Sequence, residues 1–372
     1  MKCKIMAALT ISLMVFGSMA FFTVDSDAAD SIVVEDFVGH KFTYDKATDK
    51  IVTIGYAATL TAVEFGHLKK IAATDTYGMY DYSKNDLLRD VNPEKVQLLD
   101  SIYNAAGAES IAAMLIQMVG DGKISYTDTI VLTSSATQGP RIYDMLTSDT
   151  LGDKKFTKVL QYYSITDYDK IVDFVRDMSV VLTMNENSNL VKGMELTRDT
   201  VKDGIKDQVK RDGIFINYTA SSGAWSIGNT GSIAVSLMEA AGLNNIGRNT
   251  GVTGTTYGNL QQAIQIIDGD TDVLVVLSAS YAGTVSEFKQ EVFGDRNYQI
   301  DVVKLENEWN NYCPDSKDGL WAIASMAYPT IFEGAPPNPD GSGDDNMLIY
   351  VAAAVIATVA IVALAVVFLK KP

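Results

Sequence analysis

The residues of this sequence best suited to hold a small molecule are aromatic. A tyrosine or tryptophan ring offers a large flat apolar surface with one polar group. Such rings follow predicted strands in both halves of the chain, namely Tyr56, Tyr77, Tyr80, Tyr82, Trp225, Trp309 and Tyr312. Because loops at the carboxyl ends of strands line the ligand sites of open α/β sheets, these rings predict the walls of a ligand cleft. The alternative is that they only pack the surface of the domain.

Arg141 is the charged residue that we predict at the same edge. It ends the polar loop 134–141, which follows a predicted strand at residues 129–132. A guanidinium group binds carboxylates through two parallel hydrogen bonds, so Arg141 can pair with an acidic group of a ligand. It can equally be a solvated surface residue. Tyrosinate oxygen is a hard donor for ferric iron, but no spacing of the tyrosines singles out a pair of metal ligands.

The composition argues against several other kinds of site. The chain has 372 residues, a net charge of −16 and a pI near 4.5, whereas a nucleic-acid-binding protein carries a basic face. Its two histidines, His40 and His67, and its two cysteines exclude a multi-histidine metal site and a disulfide framework. No Gly-Lys-Ser/Thr phosphate loop and no Gly-x-Ser-x-Gly elbow occurs. We therefore predict a binding protein with no catalytic residues, no metal ion and no cofactor.

The N-terminal segment predicts export from the cytoplasm. Lys2 and Lys4 precede an apolar run over residues 5–16, and small residues follow at positions 18, 20, 28 and 29. A basic start, a short apolar run and small residues are typical of a secretory signal peptide, which we place at residues 1–29. The alternative is a signal anchor that is not cleaved.

The C-terminal segment predicts a membrane anchor. Residues 347–369 carry no charge and would span roughly 34 Å as a helix, enough to cross a bilayer core. A buried core helix is the alternative, but no polar stripe interrupts the apolar faces. Lys370 and Lys371 follow, so we predict a cytoplasmic tail at residues 370–372 and a binding domain outside the cell. Residues 333–346, rich in proline, glycine and aspartate, predict an irregular tether.

Between these ends, short apolar strands alternate with helical patterns, which predicts an α/β fold. We place an N-terminal lobe at residues 30–165 and a C-terminal lobe at 212–332, each with a Rossmann-like sheet. Linking helices occupy residues 166–211. The second of them has an apolar stripe over 187–210 and polar residues elsewhere, so we predict one long amphipathic helix that joins the lobes. Its two glycines, at positions 193 and 204, each weaken it by about 1 kcal/mol relative to alanine.

These segments, in this order, resemble the substrate-binding proteins of ABC importers for ferric siderophores, haem and cobalamin. The resemblance covers residues 33–332 and rests on the order of segments, with no single invariant motif. Residues 50–59 (KIVTIGYAAT) resemble the opening strand and ligand-facing turn, and 65–75 (FGHLKKIAATD) the next helix end and strand. Residues 239–245 (EAAGLNN) resemble the turn that closes a helix of the second lobe, and 309–329 the last ligand-facing loop and closing helix.

The resemblance implies two lobes joined by a rigid helix, small-angle closure on a ligand, and no catalysed reaction. It also implies delivery of the ligand to an ABC permease driven by a separate ATPase. Glu109 falls where the family places an acidic residue that docks an arginine of the permease, although it can also be an ordinary solvated acid. The counterpart in the second lobe should lie near residues 259–262. Uncharged Gln261 and Gln262 stand there, so the sequence departs from docking through two acids.

These observations predict a membrane-anchored receptor outside the cell that captures a cobamide, a ferric siderophore or haem and has no nucleic-acid partner. Such an anchor suits a cell without an outer membrane, such as an archaeon. One rival is a surface-anchored sensor or adhesion module with the same fold. A second rival is an anchored chelatase-like enzyme, which would need a titratable cluster in the cleft, and the sequence offers no histidine there.

Overall fold

Two α/β lobes make up the part of the chain that the structure describes. In this computed structural model, that part covers residues 31–76, 96–163, 165, 167–228, 231–250, 258–259, 264–265, 267, 272–294 and 300–339. No helix among these residues is long and apolar enough to cross a membrane. Several predictions fall outside the described residues, namely the signal peptide, the membrane anchor with its tail, Tyr77, Tyr80, Tyr82, Gln261 and Gln262.

Lobe one begins with an antiparallel hairpin and continues as a parallel sheet. Its strands are β1 (Ile32–Glu35), β2 (Lys41–Tyr44), β3 (Lys50–Ile54), β4 (Ile71–Asp75), β5 (Gln97–Leu99), β6 (Thr129–Thr133) and β7 (Val159–Gln161). The first two form the hairpin, and the other five form a parallel sheet in the order β5-β4-β3-β6-β7.

Helices cover both faces of this sheet, which explains why apolar residues on both sides of its central strands are buried. The helices are α1 (Tyr56–Glu64), α2 (Gly107–Gly120) and α3 (Gly139–Thr147). Ile51 and Ile130 belong to the core that contains α1, whereas Val52 and Val131 belong to the core that contains α2 and α3. Successive residues of a strand point to opposite faces, so a strand buried on both sides has no polar face.

Two helices follow lobe one, α4 (Tyr168–Thr183) and α5 (Asn189–Ile205). Helix α4 is buried along most of its length and packs on β1 and α1 of lobe one and on α6 (Ile233–Ala240) of lobe two. Helix α5 has one exposed face and packs on α4 and on helices of lobe two. Of the two predicted linking helices, α4 is the one that packs on elements of both lobes, whereas the amphipathic stripe over residues 187–210 belongs to the more exposed α5.

Lobe two combines a parallel sheet with a projecting hairpin. Its remaining elements are β8 (Asp212–Thr219), β9 (Ala224–Gly228), β10 (Asn244–Asn245), β11 (Gly258–Asn259), β12 (Leu274–Leu277), β13 (Asp301–Lys304), α7 (Val285–Phe293) and α8 (Ser316–Ala327). Strands β8, β12 and β13 run parallel, and β9 is antiparallel to β8. Strand β12 pairs with β8 only as far as Ile216, whereas β9 pairs with it up to Thr219. The β8–β9 hairpin therefore projects beyond the carboxyl edge of the parallel strands.

The segment after α8, residues 331–339, packs back along α5, and we call it the strap. Phe332 of the strap is buried and lies against Gly204 of α5, where a β-carbon would come within 2.6 Å of its ring. Trp321 of α8 donates from its indole Nε1 to the carbonyl oxygen of Gly334 (2.9 Å). The strap is irregular in conformation and is part of the packed domain.

The end of the strap lies near the start of two helices. Pro339 is the nearest neighbour of Gly193 in α5, and the Lys317 side chain at the start of α8 lies beside the same glycine. Helix α8 begins after the loop that leaves the carboxyl end of β13. The last described residues of the strap therefore lie at the carboxyl-edge side of lobe two.

Candidate ligand cleft

The turn after β3 fixes the carboxyl edge of lobe one. Gly55 has a φ of +110°, and a β-carbon there would come within 2.1 Å of the Ser134 side-chain oxygen. Its amide donates to Asp75 Oδ1 (2.9 Å), and Asp75 Oδ2 accepts from the Ile102 amide (3.3 Å). The buried Asp75 carboxylate thereby ties the end of β3 to β4 and to the loop after β5. The turn requires glycine, both for its backbone angle and for the space beside Ser134.

Tyr56 follows this turn directly and begins α1. Its side chain is only 7% exposed and belongs to the core that both lobes share. A ligand could therefore reach only a small part of this ring. Contact between Tyr56 and a ligand stays a prediction.

Arg141 and Glu109, for which the sequence predicts separate roles, form an ion pair with each other. One terminal nitrogen of Arg141 contacts Glu109 Oε1, and the other donates to Gln138 Oε1 (3.1 Å). Both charged side chains are 45% exposed. Binding of a ligand carboxylate by Arg141, or docking of a permease arginine by Glu109, would therefore compete with this pair. The two residues come from different helices, so no local pattern in the sequence reveals their contact.

Three aromatic rings gather where the β8–β9 hairpin projects from lobe two, and we call them the lobe-two aromatic cluster. Tyr218 and Trp225 are partners across the hairpin, with ring centroids 4.6 Å apart. The Tyr281 ring, from the loop after β12, lies 5.0 Å from Trp225 and 5.4 Å from Tyr218 between centroids. Trp225 is one of the predicted ligand residues, whereas Tyr218 and Tyr281 are new. The alternation of residues across the hairpin could have identified Tyr218 as the partner of Trp225.

Glu291 of α7 satisfies the polar groups of this cluster. Its Oε1 accepts from Trp225 Nε1 (3.2 Å), and its Oε2 accepts from the Tyr281 hydroxyl (3.0 Å). Burial, and then the neighbouring Glu291 carboxylate, raise the pKa of Tyr281 to about 12, so its hydroxyl remains a donor at neutral pH. Because these polar groups bond within the protein and Tyr281 is buried, contact with a ligand would be made through the partly exposed rings of Tyr218 and Trp225. Nothing in the local sequence around Glu291 signals this role.

Trp309 and Tyr312 lie in the loop between β13 and α8, where the two lobes meet. Trp309 stands against Gly319 of α8, where an added β-carbon would come within 2.8 Å of the Trp309 Cβ. The Tyr312 carbonyl oxygen accepts from Thr61 Oγ1 of α1 (3.0 Å), and the Tyr312 ring meets Phe174 of α4 edge-on. Burial raises the pKa of Tyr312. These contacts hold the loop against lobe one, and ligand binding by the two residues stays a prediction.

The described residues show no group of three histidine, cysteine, aspartate or glutamate side chains arranged to hold a metal ion. What they do show is two parallel sheets, a buried helix between them, and aromatic side chains at their carboxyl edges. This arrangement defines the class of fold. It is the two-lobe α/β fold of the substrate-binding proteins of ABC importers.

Comparison with solved structures confirms this fold. No protein-family model matches the sequence, and no curated protein matches it significantly. The structure is similar to that of CeuE from Helicobacter pylori in a nickel–histidine complex, with a TM-score of 0.56, 16% identity, and coverage of 82% of this chain and 90% of that one. It is also similar to a ferric hydroxamate transport protein from Saccharomonospora viridis (TM-score 0.51, 17% identity, 79% and 98% covered).

A third similar structure is the petrobactin-binding protein YclQ from Bacillus subtilis (TM-score 0.52, 12% identity, 80% and 99% covered). At such low identities the likeness establishes the fold. The resemblance noted in the sequence is confirmed at that level.

Proposed function

We propose that this protein is the extracytoplasmic receptor of an ABC importer and that it binds a ring-containing metal chelate between its lobes. The lobe-two aromatic cluster carries the proposal, because the partly exposed rings of Tyr218 and Trp225 lie at the carboxyl edge of a sheet, where open α/β folds bind ligands, and the buried Tyr281 ring packs against them. A receptor of this kind binds its ligand without chemical conversion.

The chemistry of the cluster favours flat or aromatic ligands. Tryptophan and tyrosine faces stack on conjugated rings, and each such contact contributes about 0.5–1.5 kcal/mol beyond the area that it buries. A corrin, a porphyrin and a catecholate siderophore all offer such rings. The structurally similar proteins bind a nickel–histidine complex, a ferric hydroxamate and petrobactin by name, so metal chelates are the ligand class to test first.

The proposal includes anchoring at the membrane through residues 347–369, whose uncharged apolar run is long enough to cross a bilayer core. Pro339, the last described residue of the strap, lies beside Gly193 and Lys317 at the carboxyl-edge side of lobe two. A short tether between receptor and membrane keeps the receptor at high local concentration beside a permease.

A groove beside Glu109 supports docking of a permease on lobe one. The groove has a volume of about 500 Å³ and lies between α2 and α3. Its floor is apolar, with Ala112, Ile116 and Met145, and its acidic members are Glu109 and Asp144. A basic permease side chain could displace Arg141 from Glu109, which would make docking depend on the strength of that intramolecular pair.

The test is a fluorescence titration of the full chain in lipid nanodiscs with haemin, cyanocobalamin, a ferric catecholate and a ferric hydroxamate. The chain has three tryptophans, at positions 225, 309 and 321, so the variants Trp225→Phe, Trp309→Phe and Trp321→Phe assign the signal. We expect saturable quenching by one ligand class that is mostly lost in Trp225→Phe. Trp321, which is buried and bonded to the strap, is the matched control.

A second variant tests affinity directly. Trp225→Ala should weaken binding of the quenching ligand by about tenfold, in line with the loss of one aromatic contact. If Trp225→Ala binds the ligand with unchanged affinity, the aromatic cluster is not part of the ligand site. If a folded chain binds no member of the panel at micromolar concentration, the metal-chelate proposal fails and the sensor or adhesion function takes its place.

A further inference from the structure

Glu64 is a buried carboxyl group without a partner at the contact between the two lobes. It is the last residue of α1, and Thr61 one turn earlier donates its hydroxyl to the Tyr312 carbonyl oxygen across the contact. Both side-chain oxygens of Glu64 are buried, and neither has a hydrogen-bond partner among the described residues. A buried polar group without a hydrogen bond is costly, and an ionised one much more so. The position therefore needs an explanation.

The charged groups that face Glu64 make its ionised form still less favourable. From the loop before α8 come Glu308, Cys313 and Asp315, and from α8 itself come Lys317 and Asp318. The one cation of this set, Lys317, donates to Asp318 Oδ2 (3.2 Å). Glu64 also ends its own helix, where the partial negative charge of the helix C-terminus repels an anion.

These surroundings set the direction of the titration. Burial, and then repulsion from Asp315, raise the pKa of Glu64 from its ordinary value of 4.5 to about 9, with Lys317 opposing and Asp318 and Glu308 adding to the shift. The carboxyl group is thus neutral at pH 7 while the contact is intact.

We propose that the Glu64 proton is a lock on this lobe contact: α1 stays against the loop before α8 while Glu64 is protonated, and the contact opens as water reaches Glu64 and the proton leaves. The group binds a proton more tightly in the closed contact than in the open one. The closed state is therefore most favoured at low pH, loses stability as pH rises above about 4.5, and loses no more above about 9.

The lock acts on a loop that also belongs to the predicted cleft. The loop between β13 and α8 carries Trp309 and Tyr312, and its hydrogen bond to Thr61 lies one helical turn from Glu64. Opening of the contact would release this loop from lobe one. The proposal does not depend on which ligand the protein binds, so it can fail or succeed separately from the receptor proposal.

Cys313 supplies a probe of the opening. Its thiol is fully buried at the same contact, and its Sγ lies 3.0 Å from the Glu308 carbonyl oxygen. In the full chain carrying Cys3→Ser, Cys313 is the remaining cysteine of the sequence. The rate of its alkylation by iodoacetamide, measured from pH 6 to 10, reports how often the contact opens.

At each pH, the alkylation rate of the chain with Glu64 is divided by the rate of the Glu64→Gln variant. Both chains carry the same thiol, so the titration of the thiol cancels in this ratio. We expect the ratio to rise by up to tenfold per pH unit and to level off near pH 9, as loss of one proton requires. Glu64→Met should behave like Glu64→Gln, which guards against an effect particular to the amide. Glu306→Gln, an exposed glutamate of the same loop, is the matched control and should follow the parent chain.

Two results would overturn the proposal. A ratio that does not change with pH would show that Glu64 does not govern access to Cys313. An alkylation rate that rises with urea as steeply as global unfolding would show that Cys313 reacts only from the unfolded chain, since a local opening exposes little surface.

Discussion

Gly55 shows how one residue without a side chain sets the geometry of the cleft. Its φ of +110° is disfavoured for residues with a β-carbon, and Ser134 occupies the space where that carbon would lie. Its amide bond to Asp75 then fixes the turn that leads into α1. Backbone angle, packing and hydrogen bonding all depend on this one position.

We expect Gly55→Ala to lower the free energy of unfolding by about 2 kcal/mol or more, measured by urea denaturation. Gly122→Ala is the control, because Gly122 also has a positive φ but no atom lies within 4 Å of the added carbon. Its cost should be about 1 kcal/mol. Ser134→Ala should restore part of the stability of Gly55→Ala, since it removes the clashing oxygen. Equal costs for the two alanine variants would contradict the role of Ser134.

Residue by residue, the sequence places single side chains within the fold better than it predicts which side chains contact each other. Trp225 was predicted at the carboxyl edge of lobe two, and the structure places it there with Tyr218 and Tyr281. The Glu109–Arg141 pair could not be predicted, because it joins two helices through tertiary packing. The sequence does not single out Glu64, because a glutamate at the end of a helix is ordinary until the opposite lobe buries it.

At the scale of elements, the pattern of apolar residues predicts strands well and the roles of helices poorly. Strands β3 and β6 coincide with predicted strands, because central parallel strands are buried on both faces. The stripe that predicted the joining helix belongs to α5, a surface helix, while α4 lies between the lobes. Periodicity reports how much of a helix is exposed, and it does not report what the helix touches.

The two glycines of α5 leave space for side chains of the strap, a role that helix propensity does not predict. Taken alone, Gly204 weakens the helix by about 1 kcal/mol relative to alanine. In the structure it gives the Phe332 ring of the strap a place to pack, and Gly193 does the same for Pro339.

We therefore expect Gly204→Ala to destabilise the protein by about 1–3 kcal/mol, the usual cost of overpacking, despite the better helix propensity of alanine. Gly120→Ala is the matched control. Gly120 ends α2 and has no atom within 4 Å of an added β-carbon, so its replacement should be neutral or stabilise by up to about 1 kcal/mol. Urea denaturation of both variants gives the comparison. A stabilised Gly204→Ala variant would mean that the strap does not pack on α5.

At the scale of the whole molecule, the two lobes share one core. A single cluster of buried side chains includes Leu60 of α1, Phe174 of α4, Leu237 of α6 and Leu320 of α8. Each lobe also has a core of its own on the far face of its sheet. Separation of the lobes along α4 would expose the shared cluster to water, so we expect lobe motion to be small and the lobes to depend on each other for stability.

This shared core predicts that the lobes unfold together. The three tryptophans lie in or beside lobe two, so their fluorescence follows that lobe, whereas far-ultraviolet circular dichroism follows the helices and strands of both. We expect the two signals to give coincident urea transitions, the mark of a single cooperative unit. Phe174→Ala, in the middle of α4, should shift both transitions to lower urea by the same amount, equivalent to about 3–5 kcal/mol. A fluorescence transition of lobe two that precedes or follows the circular dichroism transition would show that α4 links two independent domains. The Glu64 contact would then be the main restraint between the lobes.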